Sequence, residues 1–301
     1  MTRRTAEDLL PLLDRLASDL VIYEQFNFSV AVAAALIEVP AICHSLGRAM
    51  SVQMRQILAG TRLDFLWADY RRASAPLDVF WGNAYLDIFP PSLQEPSIFE
   101  NPFRIPMRPV PWSEPTGVMP PAWVRTRSRP LVYLTLGTTP FSSGDGLRAA
   151  TEGLSTLGVD VLIALGSHDP SVLGSVPAGV HVERFVHQAD VLSHVDLVVH
   201  SGGSGTMLGA LSRDLPQLIL PQGGDQFINA DVVVSAGVGL SLEPDSVSPG
   251  SVVEAARSLL TDSSYRDAAR PVRREITTMP HPSDVLPALS RLANKHHNRQ
   301  R

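Results

Sequence analysis

Apolar residues along the first hundred positions recur at two spacings, and the switches between them mark out alternating strands and helices. Leu9, Leu12, Leu13 and Leu16 share one face of a helix predicted over residues 5–18, with Thr5 placed to cap it and Pro11 tolerable only near its first turn. Asp19 to Tyr23 reads as a buried strand, Val30 to Ile37 as a helix and Val39 to His44 as a second strand, a unit whose strands run parallel. A long helix is predicted over residues 49–73, turning Met50, Met54, Ile57 and Leu58 to the core. Short strands follow near Ala84 to Ile88 and Phe103 to Met107.

Residues 108–130 carry Pro109, Pro111, Pro115, Pro120, Pro121 and Pro130 with almost no periodicity, the pattern of an extended linker. The domain boundary is placed there, with one domain over 1–107 and another over 131–301 whose last helix has the option of crossing back to the first. Past the linker the alternation becomes regular. Strands are predicted at 131–136, 159–165, 180–186, 196–200 and 217–220, and helices at 145–157, 189–194, 205–213, 226–236, 249–261, 264–278 and 283–294. Near-continuous apolar strands such as Leu131 to Leu136 and Val161 to Leu165 belong to a parallel sheet covered on both faces, so the fold class is α/β.

Composition changes the picture by exclusion. The chain is 44% hydrophobic and 18% charged, enough to bury a core in each of two domains. Its net charge of −5 argues against a nucleic-acid partner, because such binding grows with the number of phosphates neutralised. Lys295 is the only lysine, which removes lysine-dependent phosphate loops and an internal Schiff base. The longest apolar run, residues 29–37, is too short to span a bilayer, and the first residues lack the apolar stretch of a secretory signal. A cytoplasmic location is the expectation, and the single Cys43 rules out an internal disulfide. No metal-ligating set is expected.

The densest chemistry lies in Val198-Val199-His200-Ser201-Gly202-Gly203-Ser204-Gly205-Thr206. A buried strand runs through glycines and hydroxyls into a helix, so that amides without intrahelical partners face an anion, and Ser204 and Thr206 add hydroxyl donors. A tight strand-to-helix turn with a serine cap is the plainer alternative. His200 by itself reads equally as a core histidine. Leu136-Gly137-Thr138-Thr139, Phe185-Val186-His187-Gln188 and Pro221-Gln222-Gly223-Gly224-Asp225-Gln226 end other strands at the same sheet edge, where open α/β sheets bind ligands. Asp225 beside Gln226 suits a polyol, or serves as a helix cap.

On these residues the chain resembles the family 1 glycosyltransferases of the GT-B fold, and among them the bacterial enzymes that attach deoxysugars to macrolides and other polyketides. His200 to Thr206 is similar to the family's donor signature, and Pro221 to Gln226 with Asn229-Ala230 to its sugar-binding element. Leu136-Gly137-Thr138 resembles the first-strand loop. Two departures stand out: His187 replaces a common proline, and Ser201 replaces a second histidine usual in macrolide-type members. The resemblance implies two Rossmann-like domains with parallel sheets, the N-terminal one incomplete. It implies that Thr138, His200, Gly202, Gly203, Ser204, Gly205 and Thr206 bind a diphosphate. Asp225 and Gln226 would bind sugar hydroxyls, Val186 would face the base through its backbone, and Gln188 the ribose. The donor would be a TDP- or UDP-sugar, a substrate, with no separate cofactor. The acceptor would be a small hydrophobic molecule, for which Trp67, Phe80 and Trp81 offer an apolar cleft if they are not core.

Inverting transfer in such enzymes needs a base, usually histidine, oriented by an acid. Glu24 matches the position of the acidic partner, or is a solvated strand end. The histidine expected after a preceding strand is absent, because only about 18 residues come before Asp19 where the family has several elements. His44 is the only histidine in the first 130 residues and is either a substitute base or a pocket-lining residue. A misplaced start, a degenerate copy, and a donor-binding partner without transfer activity are the competing explanations, and a nucleotide-sugar epimerase is a third function. A shortened sheet would expose a strand edge and favour a homodimer or an auxiliary protein.

Overall fold

A computed structural model of the chain describes residues 2–58, 60, 80–111, 121–137 and 144–297. They fall into two compact units, Met1–Arg108 with Thr278–Arg301, and Pro109–Thr277. The chain from Thr278 onward groups with the first unit, the crossing-back option named above, and the proline-rich stretch, expected as a linker, groups with the second, where helix α4 (Ala122–Thr126) buries Val124.

The first unit is built on a four-stranded parallel sheet whose spatial order follows the chain: β1 (Val21–Glu24), β2 (Ala41–His44), β3 (Ala84–Asp87) and β4 (Arg104–Pro106). Val21, Tyr23, Ala41, Cys43 and Tyr85 point to one face, against α1 (Thr2–Leu16) and α2 (Phe28–Leu36). Ile42, Ala84 and Leu86 point to the other, which α10 (Pro282–His297) covers with Val285, Leu289 and Leu292. That two-residue alternation is what a strand buried on both faces requires.

Two predicted helix faces are corrected. Helix α1 starts near the N-terminus, so Pro11 lies in its interior, and Leu13 is buried with Leu9 and Leu10 packed beside it while Leu12 and Leu16 are exposed. Of the helix expected over 49–73, α3 (Val52–Leu58) is described, and it buries none of its residues. Met50 and Leu58 reach the core, but Met54 and Ile57 are exposed. Phe80 is core, edge-on to Phe28 at 5.1 Å, and Trp81 packs against Tyr85. Trp67 lies outside the described residues.

The second unit carries a six-stranded, all-parallel sheet with order β10-β9-β8-β5-β6-β7. Its strands are β5 (Leu131–Thr135), β6 (Asp160–Ala164), β7 (Val180–Glu183), β8 (Leu197–His200), β9 (Gln217–Ile219) and β10 (Gly239–Ser241). Helices α5 (Gly144–Ser155) and α9 (Pro249–Thr261) sit on one face, over Val132, Leu134, Val161, Ile163 and Val199. The other face buries Leu131, Tyr133, Leu162 and Val198 with Ala210 and Leu192. Strand β10 was not expected from the pattern. It is three residues long and opens on Gly239, where a Cβ would run into the Gln217 carbonyl, so glycine there marks a close backbone approach.

Candidate functional site

The chain climbs outward from β5 to β7, then returns to place β8 on the opposite side of β5, which makes the β5/β8 boundary the topological switch point of the sheet. Ligands of open α/β sheets bind beyond the carboxyl ends of strands at such a point. Gly137 (φ +80°) leaves β5 there, and a Cβ on it would stand 3.7 Å from the Ser201 hydroxyl, so the loops after β5 and β8 lie side by side. Thr138, expected on the first of these loops, lies outside the described residues.

The loop after β8 enters α7 (Ser204–Leu211) without a side-chain cap. The first main-chain bond of this turn runs from the Met207 amide to the Gly203 carbonyl, so the amides of Ser204, Gly205 and Thr206 precede the intrahelical ladder. A Cβ on Gly203 or on Gly205 would meet nothing within 4 Å. Among the described residues nothing fills the space beside these two glycines, and the helix dipole favours an anion at this end of α7.

Several expected donors are given other tasks by the structure. His200 is 1% exposed and engaged at both ring nitrogens: Nδ1 accepts the Gly202 amide at 3.0 Å and Nε2 lies 2.9 Å from Gln217 Oε1. Burial pushes its pKa down to about 4, with the Gln217 bond offsetting part of the shift, so the ring is neutral and faces the protein. Gln226 is also buried, and its side-chain carbonyl accepts the amides of Gln222 and Gly223 at 2.8 and 3.2 Å. It shapes the turn that carries Asp225. The Ser204 hydroxyl donates to Asp225 Oδ2 at 3.2 Å and accepts from Asn229 Nδ2 at 3.0 Å. Asn229 also donates to the Gly202 carbonyl at 2.8 Å and so ties the loop after β8 to the first turn of the helix that follows β9.

Asp225 is half-buried and precedes α8 (Gln226–Ser235) without capping it by side chain, which leaves its carboxylate directed to the Ser204 side of the rim. Gln188, first residue of α6 (Gln188–Val191), donates to the Thr206 hydroxyl at 3.1 Å, bringing two expected site residues together. Val186 packs its side chain against the second core face. Phe185, not singled out from sequence, is 65% exposed at the same rim and edge-on to His187 at 5.4 Å. A large exposed aromatic beside a polar rim is a candidate contact for a ring-bearing ligand.

In the first unit Glu24 and His44 end adjacent strands in direct register. Glu24 Oε1 accepts the Phe26 amide at 2.9 Å, and His44 Nδ1 lies 2.7 Å from the Ser45 carbonyl. A carbonyl only accepts, so Nδ1 carries a proton, and Nε2 is the nitrogen that this contact leaves for other partners. Asp87, at the end of the next strand, is fully buried and holds Arg104 at 2.7 Å and Gln94 at 2.7 Å, a structural cluster at that rim.

A parallel sheet with this order, a glycine loop and a helix N-terminus at its switch point define an α/β protein of the doubly wound type. Comparison with known proteins narrows the class. The family described as erythromycin biosynthesis protein CIII-like matches through its N-terminal domain over residues 3–137 and its C-terminal domain over 149–292. The L-demethylnoviosyl transferase of Streptomyces niveus is 31% identical over 286 residues, covering 93% of this chain and 72% of the relative. The TDP-daunosamine transferase DnrS of Streptomyces peucetius is 30% identical, covering 92% and 69%. Among solved structures, the glycosyltransferase VinC in complex with DTDP superposes with a TM-score of 0.80 at 26% identity, covering 96% of this chain and 75% of that one. The spinosyn rhamnosyltransferase SpnG with spinosyn aglycone gives a TM-score of 0.83 at 27% identity, covering 96% and 79%. The chain belongs to the CIII-like family of glycosyltransferases, family 1 enzymes of the GT-B fold. Among the described residues no helix is long and apolar enough to cross a membrane.

Proposed function

We propose that this protein transfers a deoxyhexose from a nucleoside diphosphate sugar to a hydroxyl of a small hydrophobic natural product, with inversion at the anomeric carbon. The observation that carries the reading is the uncapped start of α7 at the switch point, with open space over Gly203 and Gly205. A leaving diphosphate needs donors fixed in advance, and each such donor is typically worth about 2.7–4 kcal/mol of barrier. The amides of Ser204, Gly205 and Thr206 supply them. Asp225 offers a carboxylate to sugar hydroxyls, and Phe185 an apolar face to the base. A donor that carries thymidine is favoured by the relatives, among them a TDP-daunosamine transferase and the structure of VinC with DTDP, and uridine is the alternative base.

The transfer forms a bond from the acceptor oxygen to the anomeric carbon, breaks the bond from that carbon to the diphosphate, and releases one proton from the acceptor. His44 is the base we assign to take that proton at Nε2, because its Nδ1–H is already committed to the Ser45 carbonyl. Glu24, its register neighbour, supplies negative charge next to the imidazolium that forms. The test is calorimetry with TDP and UDP, followed by a transfer assay with TDP-deoxysugars and macrolide or anthracycline aglycones. Donor-dependent glycoside supports the proposal. Failure to bind either nucleotide refutes it, while tight binding without product from any acceptor makes the chain a donor-binding protein, alone or with a second subunit.

A further inference from the structure

The histidine before the glycine loop is placed by sequence to touch a phosphate, yet in the folded chain it has no nitrogen to offer. A main-chain amide can only donate, so the 3.0 Å bond from Gly202 requires an unprotonated Nδ1. The ring's one proton is then on Nε2, and Gln217 must present its oxygen, 2.9 Å away. That orientation leaves the Gln217 Nε2 buried with no partner among the described residues. Gln217 is wholly buried, so an unpaired amide there is a cost sustained for the sake of the ring's orientation.

Gly202 is held from both sides. Its amide goes to His200, its carbonyl accepts Asn229 at 2.8 Å, and its φ is +93°. A Cβ on it would approach the Gln226 carbonyl oxygen and Ile219 Cγ2 at 2.9 Å each, so the backbone is pressed against the start of α8 and the end of β9. One residue further on, Gly203 precedes the first turn of α7. Any rotation at Gly202 therefore re-aims the amides at the head of that helix.

We propose that His200 is a positioning residue: locked as the Nε2–H tautomer by Gln217, it holds Gly202 in its left-handed conformation and thereby aims the Ser204, Gly205 and Thr206 amides at the donor diphosphate, without touching the donor. The inference rests on the donor-site reading above. Burial supports it, since a ring that is neutral throughout the working pH range never presents a second N–H to the Gly202 amide.

The experiment compares TDP binding to the wild type, H200N and H200A. Asparagine places an oxygen where Nδ1 stands and nothing where Nε2 stands, so it keeps the bond to Gly202 and removes any contact made through Nε2. Positioning predicts that H200N binds TDP within about threefold of wild type while H200A is weaker by roughly tenfold or more. A direct ring–phosphate bond would have to run through Nε2, and H200N as weak as H200A overturns the proposal. Nitrogen-15 spectra should show an unprotonated Nδ1 and a protonated Nε2, both unmoved by saturating TDP; a shift of Nε2 on binding also overturns it. Should H200A not fold, wild type against H200N decides alone. Should the wild type bind neither TDP nor UDP, the donor-site reading fails. Positioning is then read from hydrogen exchange at Gly202, slow in wild type and H200N and at least about tenfold faster in H200A, with equal protection in all three as the refuting result.

Discussion

Replacing Gly205 by alanine should make the protein more stable and a poorer donor binder, two effects of opposite sign from one methyl group. Gly205 lies in the first turn of α7, is exposed, and a Cβ there meets nothing within 4 Å. Alanine is preferred to glycine in a helix by up to about 1 kcal/mol, chiefly through the unfolded chain's entropy. For a unit of this size that corresponds to a rise in Tm of about 2–4 °C. Side chains on a helix lean toward its N-terminus, so the new methyl enters the space in front of the free amides. If it lifts a phosphate oxygen off one charge-assisted amide bond, about 1.5–3 kcal/mol is lost. That is a Kd for TDP weaker by about 12- to 160-fold. Differential scanning calorimetry and TDP titration on one preparation measure both quantities. A higher Tm with unchanged TDP affinity would show that no phosphate lies over Gly205, and the assignment of the Ser204, Gly205 and Thr206 amides to the diphosphate would fail with it.

Asp225→Asn should leave TDP affinity within about threefold of wild type but raise the KM for the nucleotide sugar roughly tenfold, because the carboxylate is assigned to the sugar; equal losses for both ligands would show that its bond to Ser204 matters instead. Phe185→Ala removes an exposed ring and should weaken TDP and UDP alike by about 1–3 kcal/mol with little change in Tm, checked by titration and thermal melts. His44→Gln should cut single-turnover transfer by about 10²–10⁴ while TDP binding is unaltered, and a variant as active as wild type would remove His44 as the base. The ring of His200 titrates at about 4 in the folded chain and at an ordinary 6.5 when unfolded. The unfolded state therefore takes up the proton first as pH falls, so this contribution to stability is full above about 6.5 and is lost between there and 4. The loss is about 3 kcal/mol, and urea unfolding across that window should show it in wild type and not in H200N.

How far the chain could be read before folding depended on which physical property each feature expresses. The strands of the second unit were legible because burial on both faces demands continuous apolar runs such as Leu131 to Leu136. The start of α7 was legible because glycine and hydroxyl residues after such a strand have few other uses. Strand β10 was not, since three residues opening on Gly239 carry too little pattern, and its place depends on the Gln217 carbonyl far back in the chain. The face of α1 was misjudged because Leu9, Leu10, Leu12, Leu13 and Leu16 offer two overlapping stripes, and contact with α2 selects one.

At the rim itself, residue types and their order along the chain were enough to name the loops after β5, β7, β8 and β9 as the candidate donor site. The direction in which each side chain turns was settled only by tertiary contacts. Nothing local distinguishes an imidazole pointing at a ligand from one pointing at Gln217, 17 positions later, or a Gln226 amide facing a sugar from one closing its own turn. Hydrogen bonding depends on distances between groups that are remote in the chain. Composition and order can name the groups, but only packing pairs them.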